Sequence, residues 1–343
     1  MDEQKVYEQL ITLNDSEIFY RNYRLAKASP ASFAEYLANI DLSFVHQNNL
    51  LVPELAETIP PEYLENWYFT DETTGIHVCK HNCYTPAIPH KHNFFEMFFV
   101  LEGRCLHQVG ENNSVLHAGD LCLIQPHVTH SIDVSDESII IDVLIRKSTF
   151  RQYFYNLLQS DSLISSFFMS TLYARGGMDY LIFHTAPDQD IHFAFLDMCA
   201  EAMDCQIHYQ ALINAMLTHI LILLLRRHTS TCEVPSSSAD QMEQAMQFIS
   251  YIQSHSRDIT LEQMATHFHY TSEYTSRIIR QVTGQTYMQL LTSIRIENAK
   301  RLLRDTAMST VEVGSAVGYE TPEHFMRTFK KHVHCSPSEY RQK

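Results

Sequence analysis

The chain lacks what a secreted or membrane-spanning protein needs. None of its 343 residues lies in a run of about 18 apolar residues, and the densest run, Ile220–Leu225, is far too short to cross a bilayer. Met1–Leu10 is polar and charged, without the apolar stretch of a signal peptide. Eight cysteines are scattered without framework spacing, and the nearest pair, Cys79 and Cys83, has no second pair at metal-site spacing. These absences predict no membrane partner, reduced thiols and a cytoplasmic location.

Basic charge is also scarce. The chain holds 25 Lys/Arg against 40 Asp/Glu, a net charge of −15, which at first argues against nucleic acid as a partner. The distribution qualifies that. Residues 240–343 carry 12 Lys/Arg against 11 Asp/Glu, and residues 1–239 carry 13 against 29. The C-terminal third is weakly basic, so its attraction for phosphate is modest per domain and dimerisation would help.

What is present divides the chain. Residues 1–66 read as helical, with Phe33, Tyr36, Leu37 and Ile40 at helical spacing and Pro30, Pro53, Pro60 and Pro61 as punctuation. Between 67 and 146 the pattern changes to short apolar runs, at Ile76–Cys79, Phe94–Leu101, Arg104–Val109, Leu121–Ile124 and Ile139–Ile145. Gly103, Gly110 to Asn113 and Gly119-Asp120 mark turns. This predicts a small β-barrel or sandwich. Residues 147–228 return to helix, most strongly over Gln206–His228, which reads as a packing or a dimerisation helix. "TSTCEVPSSSA", residues 229–239, is small and polar and reads as a linker.

Residues 240–343 contain a repeat. "ITLEQMATHFHYTSEYTSRIIRQVTG" (Ile259–Gly284) echoes "STVEVGSAVGYETPEHFMRTFKKHVH" (Ser309–His334). The first halves match at a shift of 49 and the second halves at 50, so one residue is gained at or near the turn. Thr260 with Gln263, and Ser309 with Glu312, read as capping boxes. Thr271/Ser272, and Thr321 followed by Pro322, start second helices. Each copy is thus a helix-turn-helix, whose second helix is the one that enters a DNA major groove. A long helix over Tyr287–Arg304 would hold the units about one DNA turn apart, roughly 34 Å.

These residues resemble the DNA-binding domain of the AraC/XylS family of transcription regulators. "SRIIRQVTGQTYMQLLTSIRIENAKRLL" and "VGSAVGYETPEHFMRTFKKHVHCSPSEYR" carry the resemblance over about 100 residues. Gly314 stands where alanine is usual, Thr310 where an aliphatic residue is usual, and His334 where glycine is usual. Thr275 and Ile279 replace the more typical leucine and phenylalanine. The resemblance implies DNA contacts from Glu273, Ser276, Arg277 and Arg280 in the first unit, and from Pro322, Glu323, His324, Met326, Arg327 and Lys330 in the second. Arginine can pair bidentately with guanine, and glutamate can accept from cytosine N4. Arg280, Lys330 and Lys331 suit phosphate.

The stretch "PHKHNFFEMFFVLEG" (Pro89–Gly103) puts His90, His92, Phe94, Glu96, Phe98 and Val100 on one face of an expected strand, with an apolar face opposite. A His/His/Glu set on a buried strand must meet something polar. With "GDLCLIQPHVTHSI" (Gly119–Ile132), the segment resembles the cupin barrel. The resemblance implies a ligand set of His90, His92, Glu96 and His130, competent for a divalent metal. Tyr84 holds a place where glycine is common, and Gln125 and His127 replace the proline and glycine of the second motif. His107, His117 and His127 read mostly as surface residues.

The expected fold is α+β: an N-terminal cupin-like β-barrel with flanking helices, plus an all-α C-terminal domain with two helix-turn-helix units joined by a linker helix. The expected function is a non-enzymatic, homodimeric transcription regulator. It binds promoter DNA, recruits or blocks RNA polymerase, and responds to a small-molecule effector held by His90, His92, Glu96 and His130. Two alternatives stay open: a metal-dependent cupin enzyme with a helical appendage, and a regulator controlled by a peptide or protein partner on residues 1–66.

Overall fold

Apolar runs between residues 76 and 145 fold into strands whose burial follows their neighbours. The computed structural model describes residues 3–55, 62–69, 71, 74–153, 167, 179–233 and 239–342. The chain divides into two units, Met1–Tyr155 with Asp179–Pro235, and Asn156–Met178 with Ser236–Lys343. The part of the expected helical region from 154 to 178, Phe167 apart, lies outside the described residues.

The first unit is built on two sheets. The strands are β1 (Ile76–Lys80), β2 (Phe95–Glu102), β3 (Arg104–Val109), β4 (Asn112–His117), β5 (Asp120–Ile124), β6 (His130–Asp133), β7 (Ile139–Ile145), β8 (Tyr180–His184) and β9 (Cys232–Glu233). Six of them make one sheet in the order β1-β7-β2-β5-β8-β9, and β4-β3-β6 make the other. Apart from Glu96 and Glu102, strand β2 is apolar, because it lies between β7 and β5 with both faces covered. Phe98 and Val100 point into a core shared with Cys122, Ile132 and Ile140, while Phe99 stacks on Phe195 at 4.3 Å. Strand β3 alternates instead: Cys105, His107 and Val109 are buried, and the residues between them face solvent.

The structure corrects several expectations. Strand β2 starts at Phe95, so His90 and His92 precede it, held by isolated bridges to His130 and Tyr63. Asn112 and Asn113 belong to β4 rather than to the turn. Strand β8 lies in the region read as helical and pairs along β5, filling a sheet position that five residues of "YLIFH" are apolar enough to occupy. Of the expected linker, Thr229–Thr231 forms a 3-10 turn and Cys232–Glu233 pairs with β8. His107 is buried, at 1 % exposure, whereas His117 and His127 are exposed.

Helix α1 (Glu3–Ile11) packs against the helix Gln189–Asp204, and α2 (Asp15–Ala26), α3 (Pro30–Ala38) and α4 (Leu42–Gln47) form an aromatic minicore around Tyr20, Tyr23 and Val45. They are joined to the barrel by buried charge. Glu17 is fully buried, meets Lys80 Nζ at 2.6 Å and accepts from the backbone of Cys83 at 3.0 Å. Arg24 donates to the carbonyls of Tyr84 and Thr85 and pairs with Asp133. A short helix α5 (Glu65–Tyr68) follows, and α6 (Lys147–Tyr153) succeeds β7.

Helices α7 (Gln189–Asp204) and α8 (Tyr209–Leu223) cover the larger sheet. Gln210 pins α8 to the edge of β1: its Oε1 accepts from Gly75 N at 3.0 Å and its Nε2 donates to Ile76 O at 3.0 Å. The helix starts three residues later than the sequence predicts and ends in a π turn, Leu224–His228. The 23-residue stretch Tyr209–Thr231 contains an 18-residue window of mean hydropathy 1.4 and is long and apolar enough to cross a membrane by length and composition. Thr218 and His219 interrupt its apolar residues, so no unbroken run marks it in the sequence. Ile213, Leu217, Ile220, Leu221 and Leu224 of this helix are buried within the unit.

The second unit is helical: α9 (Ala239–Ser254), α10 (Leu261–His267), α11 (Ser272–Thr283), α12 (Tyr287–Asp305), α13 (Thr310–Ala316), α14 (Pro322–Val333) and α15 (Pro337–Arg341). Capping boxes close at Thr260, Ser309, Thr286 and Ser336, and Thr271 and Thr321 cap the second helix of each repeat. The gained residue lies in the turn: four residues, 268–271, link α10 to α11, and five, 317–321, link α13 to α14. The turns need left-handed backbone at His269 (φ 59°) and Gly318 (φ 93°).

Candidate functional site

Two sites emerge, one in each unit. In the second unit, α11 turns Thr275, Ile278, Ile279 and Val282 inward, and α14 turns Phe325 and Phe329 inward. Helical periodicity then puts Glu273, Arg277 and Arg280 on the exposed face of α11, with Ser276 partly covered. Glu323, His324, Met326, Arg327 and Lys330 are exposed on α14, and Pro322 at its first turn is half-buried. All ten expected contact residues therefore lie on the outer faces of the two second helices.

The unit spends other arginines on itself. Arg295 of α12 donates from Nε to Ser256 O at 2.7 Å, and Arg341 donates from Nε to Leu303 O at 3.0 Å. Arg277 and Arg327, by contrast, have no carboxylate partner among the described residues. The departures noted in the sequence also find their places. Gly314 lies under Phe325, whose ring a Cβ there would meet at 3.0 Å. Thr275 is fully buried, and its hydroxyl has no hydrogen-bond partner among the described residues. His334 takes a left-handed C-cap, φ 62°, as Gly284 does in the first repeat.

In the first unit, His92, Glu96 and His130 converge at the barrel wall. The Nε2 atoms of His92 and His130 each lie 3.0 Å from Glu96 Oε2. His90 completes a group with Glu96 and His130 whose ligand atoms all lie within 4.8 Å of one another. His90 Nδ1 lies 2.9 Å from Ile88 O, His92 Nδ1 2.7 Å from Phe94 O, and His130 Nδ1 3.3 Å from Val128 O. A carbonyl can only accept, so each Nδ1 carries the proton and each Nε2 is left facing the site. In neutral rings those lone pairs would face a carboxylate oxygen, and only a proton or a cation between them relieves that opposition.

The electrostatics follow. Burial alone would raise the Glu96 pKa, but protons on the facing Nε2 atoms of His130 and His92, where present, donate to the carboxylate, outweigh burial and hold the carboxyl well below its usual range. Burial, with His130 nearby, pushes His90 down to about 3. Burial likewise pushes His107 down to about 3.

The donor set suits a divalent ion. Four-coordinate bonds near 2.0 Å place ligand atoms about 3.3 Å apart, close to the His92–Glu96 and His130–Glu96 spacings, while His90 needs a small inward shift. Further polar atoms line the same interior. His107 Nε2 and Asp142 Oδ1 are buried without hydrogen-bond partners among the described residues, and so is the hydroxyl of Tyr63. Tyr63 stacks on His90 at 4.7 Å. Tyr63 N donates to Lys91 O at 2.8 Å, and Glu62 is tied to His127 at 2.6 Å. Sequence reasoning missed Tyr63, which stands 27 residues before His90 with no local signal. It also took His107 as surface, although its place between Cys105 and Val109 on an alternating strand marks it as inward.

Two family models match the chain. The AraC-like ligand binding domain covers residues 73–221, spanning this pocket, and a helix-turn-helix domain covers residues 264–343, spanning both recognition helices. The chain belongs to the AraC family of transcription regulators. It is a regulator with a ligand-binding domain and a helix-turn-helix DNA-binding domain. Among curated proteins it is similar to the HTH-type transcriptional activator RhaS of Klebsiella pneumoniae (strain 342), 22% identical over 254 residues, covering 74% of this chain and 87% of that protein. RhaS of Salmonella schwarzengrund (strain CVM19633) is 22% identical over 260 residues, with the same coverage. Among solved structures, the C-terminal domain of AraT, a response regulator from Geobacillus stearothermophilus, is 37% identical over 31% of this chain and 88% of that one, with a TM-score of 0.29. ToxT from Vibrio cholerae is 15% identical over 78% of this chain and 97% of its own, with a TM-score of 0.31.

Proposed function

We propose that this AraC-family regulator reads promoter DNA through α11 and α14 and answers to a small polar effector held in the barrel. The outward set of Arg277 and Arg327, with no carboxylate among the described residues engaging either, carries this reading. Each arginine suits guanine O6 and N7, and Glu273 and Glu323 suit cytosine N4. Ser276, Pro322, His324 and Met326 flank them against base edges, and Arg280 and Lys330 hold phosphates.

A domain near neutral charge gains little from phosphate, so a homodimer doubles the contact. Helix α8 and the loop before it offer a surface for it: Ile207 is 87 % exposed and Leu212 45 % exposed. The named relatives are activators, which favours recruitment of RNA polymerase, in the cytoplasm where the promoter lies, with no reaction catalysed.

The effector occupies the polar interior beside His90, His92, Glu96 and His130, where the Tyr63 hydroxyl, His107 Nε2 and the acceptor Asp142 Oδ1 have no hydrogen-bond partner among the described residues. It can shift the regulator only by binding one functional arrangement more tightly than another. A second reading is favoured by one observation, the convergence of His90, Glu96 and His130: a divalent metal is itself the effector or helps to hold it. The same donors would serve an enzyme, but an enzyme has no use for two capped recognition helices.

Genome-wide mapping of binding sites tests the reading, followed by mobility shifts on the recovered DNA with and without chelator. Discrete sites upstream of genes are expected. Stoichiometric metal without any DNA binding would favour the enzyme.

A further inference from the structure

The first recognition helix carries an aromatic platform that the second lacks. The Arg277 guanidinium lies over the ring of Tyr274, 5.2 Å from its centroid. That ring is itself fixed. It stacks on Tyr270 with centroids 4.8 Å apart and planes at 26°. A single amide from α9 holds both hydroxyls: Tyr274 OH donates to Gln244 Oε1 at 2.8 Å, and Gln244 Nε2 donates to Tyr270 OH at 3.1 Å. Tyr270 in turn rests edge-on against Phe248, which is fully buried. The chain of contacts runs from the core of the unit to the tip of an exposed arginine.

The second repeat is built differently. Fifty positions on from Tyr274 stands His324, which meets Tyr319 edge-on at 5.2 Å and 83°. Among the described residues no ring lies over Arg327.

We infer that Tyr274 is a positioning residue for DNA recognition: it presets the Arg277 side chain for base contact, so that the first repeat discriminates more sharply at its base pair than the second. An exposed arginine has many rotamers, and ordering it on binding costs affinity. A cation–π contact with a fixed ring removes part of that cost before DNA arrives. The planar guanidinium lying on a ring keeps its N–H edge free for the two acceptors of guanine. Gln244 fixes the orientation of the platform because it satisfies both hydroxyls at once. The inference rests on Arg277 contacting a base.

The test is a double-mutant cycle on the full chain. The probe is a DNA site recovered by the wild-type protein from a random-sequence pool, measured by mobility shift at one salt concentration. Tyr274→Leu is expected to weaken that site roughly two- to fivefold in the wild-type background. It should weaken it no further once Arg277→Ala is present. Tyr274→Phe keeps the ring and should restore most of the affinity, and binding to unrelated DNA should stay unchanged. Should Tyr274→Leu fail to fold, Tyr274→Met serves in its place, since it removes the ring and keeps apolar bulk. Equal losses in the two backgrounds, with Arg277→Ala itself harmful, would overturn the platform alone. No effect of Arg277→Ala would overturn the base contact and the platform together.

Discussion

Gly318 lies against the backbone of Arg257: a Cβ on Gly318 would stand 2.2 Å from the Arg257 carbonyl oxygen. The turn of the second helix-turn-helix is thereby locked to the segment after α9, and Arg295 tightens the joint by donating to the carbonyls of Ser256 and Arg257. The glycine also holds φ 93°, where a side chain is strained. Gly318→Ala is therefore expected to destabilise the second unit by about 2–5 kcal/mol, combining backbone strain with a clash against an atom that cannot swing away. Thermal denaturation followed by circular dichroism measures it. A variant as stable as wild type would show that the turn can open without cost.

Two departures from the family pattern are expected to be correctable. Thr275 buries a hydroxyl that has no partner among the described residues, so Thr275→Val keeps the shape and removes the orphan. His334→Gly relieves a left-handed C-cap, φ 62°. Each should raise stability by about 1 kcal/mol, read as an upward shift of Tm. A drop in either would mean that the side chain makes a contact worth more than its strain.

The sequence reached far into this fold because its signals were local. Capping boxes at Thr260 and Ser309, Pro322 at a helix start, and the one-residue gain between repeats all depend on neighbours a few positions apart. The glycine substitutions were legible too. Tyr84, His127 and His334 stand where the resembled families place glycine, and all three hold positive φ. What stayed hidden was non-local. Strand β8 pairs with β5 across some 55 residues of chain, and β9 with β8 across nearly 50, so neither announces its partner. His90 and His92 follow a strand's alternation in sequence yet precede the strand, because bridges to His130 and Tyr63 decide their backbone. Tyr274, three residues before Arg277, was visible as an i,i+3 pair and its role was not.

Glu17 ties α2 to the barrel and sets a pH dependence. Burial would raise its pKa, but hydrogen bonds from Cys83, Lys80 and Asn14 lower it on balance. A lowered carboxyl contributes stability above its unfolded pKa, near 4.3, and loses it as pH falls through the folded value. Glu17→Ala also leaves Lys80, whose side chain is 12% exposed, without its partner. The expected cost at neutral pH is about 3 kcal/mol, shrinking as pH falls below about 4. Denaturant titration at several pH values checks both, and a cost independent of pH would contradict the assignment.

The barrel set is testable by metal. Titration of Zn²⁺, Mn²⁺ or Fe²⁺ into chelated protein, followed by calorimetry, is expected to give one site per chain. Glu96→Gln is expected to weaken it at least about tenfold while the chain stays folded, because a neutral amide cannot balance the cation as the carboxylate does. Binding that survives both Glu96→Gln and His130→Ala would place the metal elsewhere and leave the pocket to an organic effector.

The most direct measurement is a footprint of the full chain on a recovered binding site, compared with Arg277→Ala and Arg327→Ala. Each substitution is expected to weaken binding by about 1–3 kcal/mol and to relax sequence preference at one base pair, with the two positions lying in separate major-groove segments. Unchanged footprints for both variants would contradict the claim that α11 and α14 read the DNA.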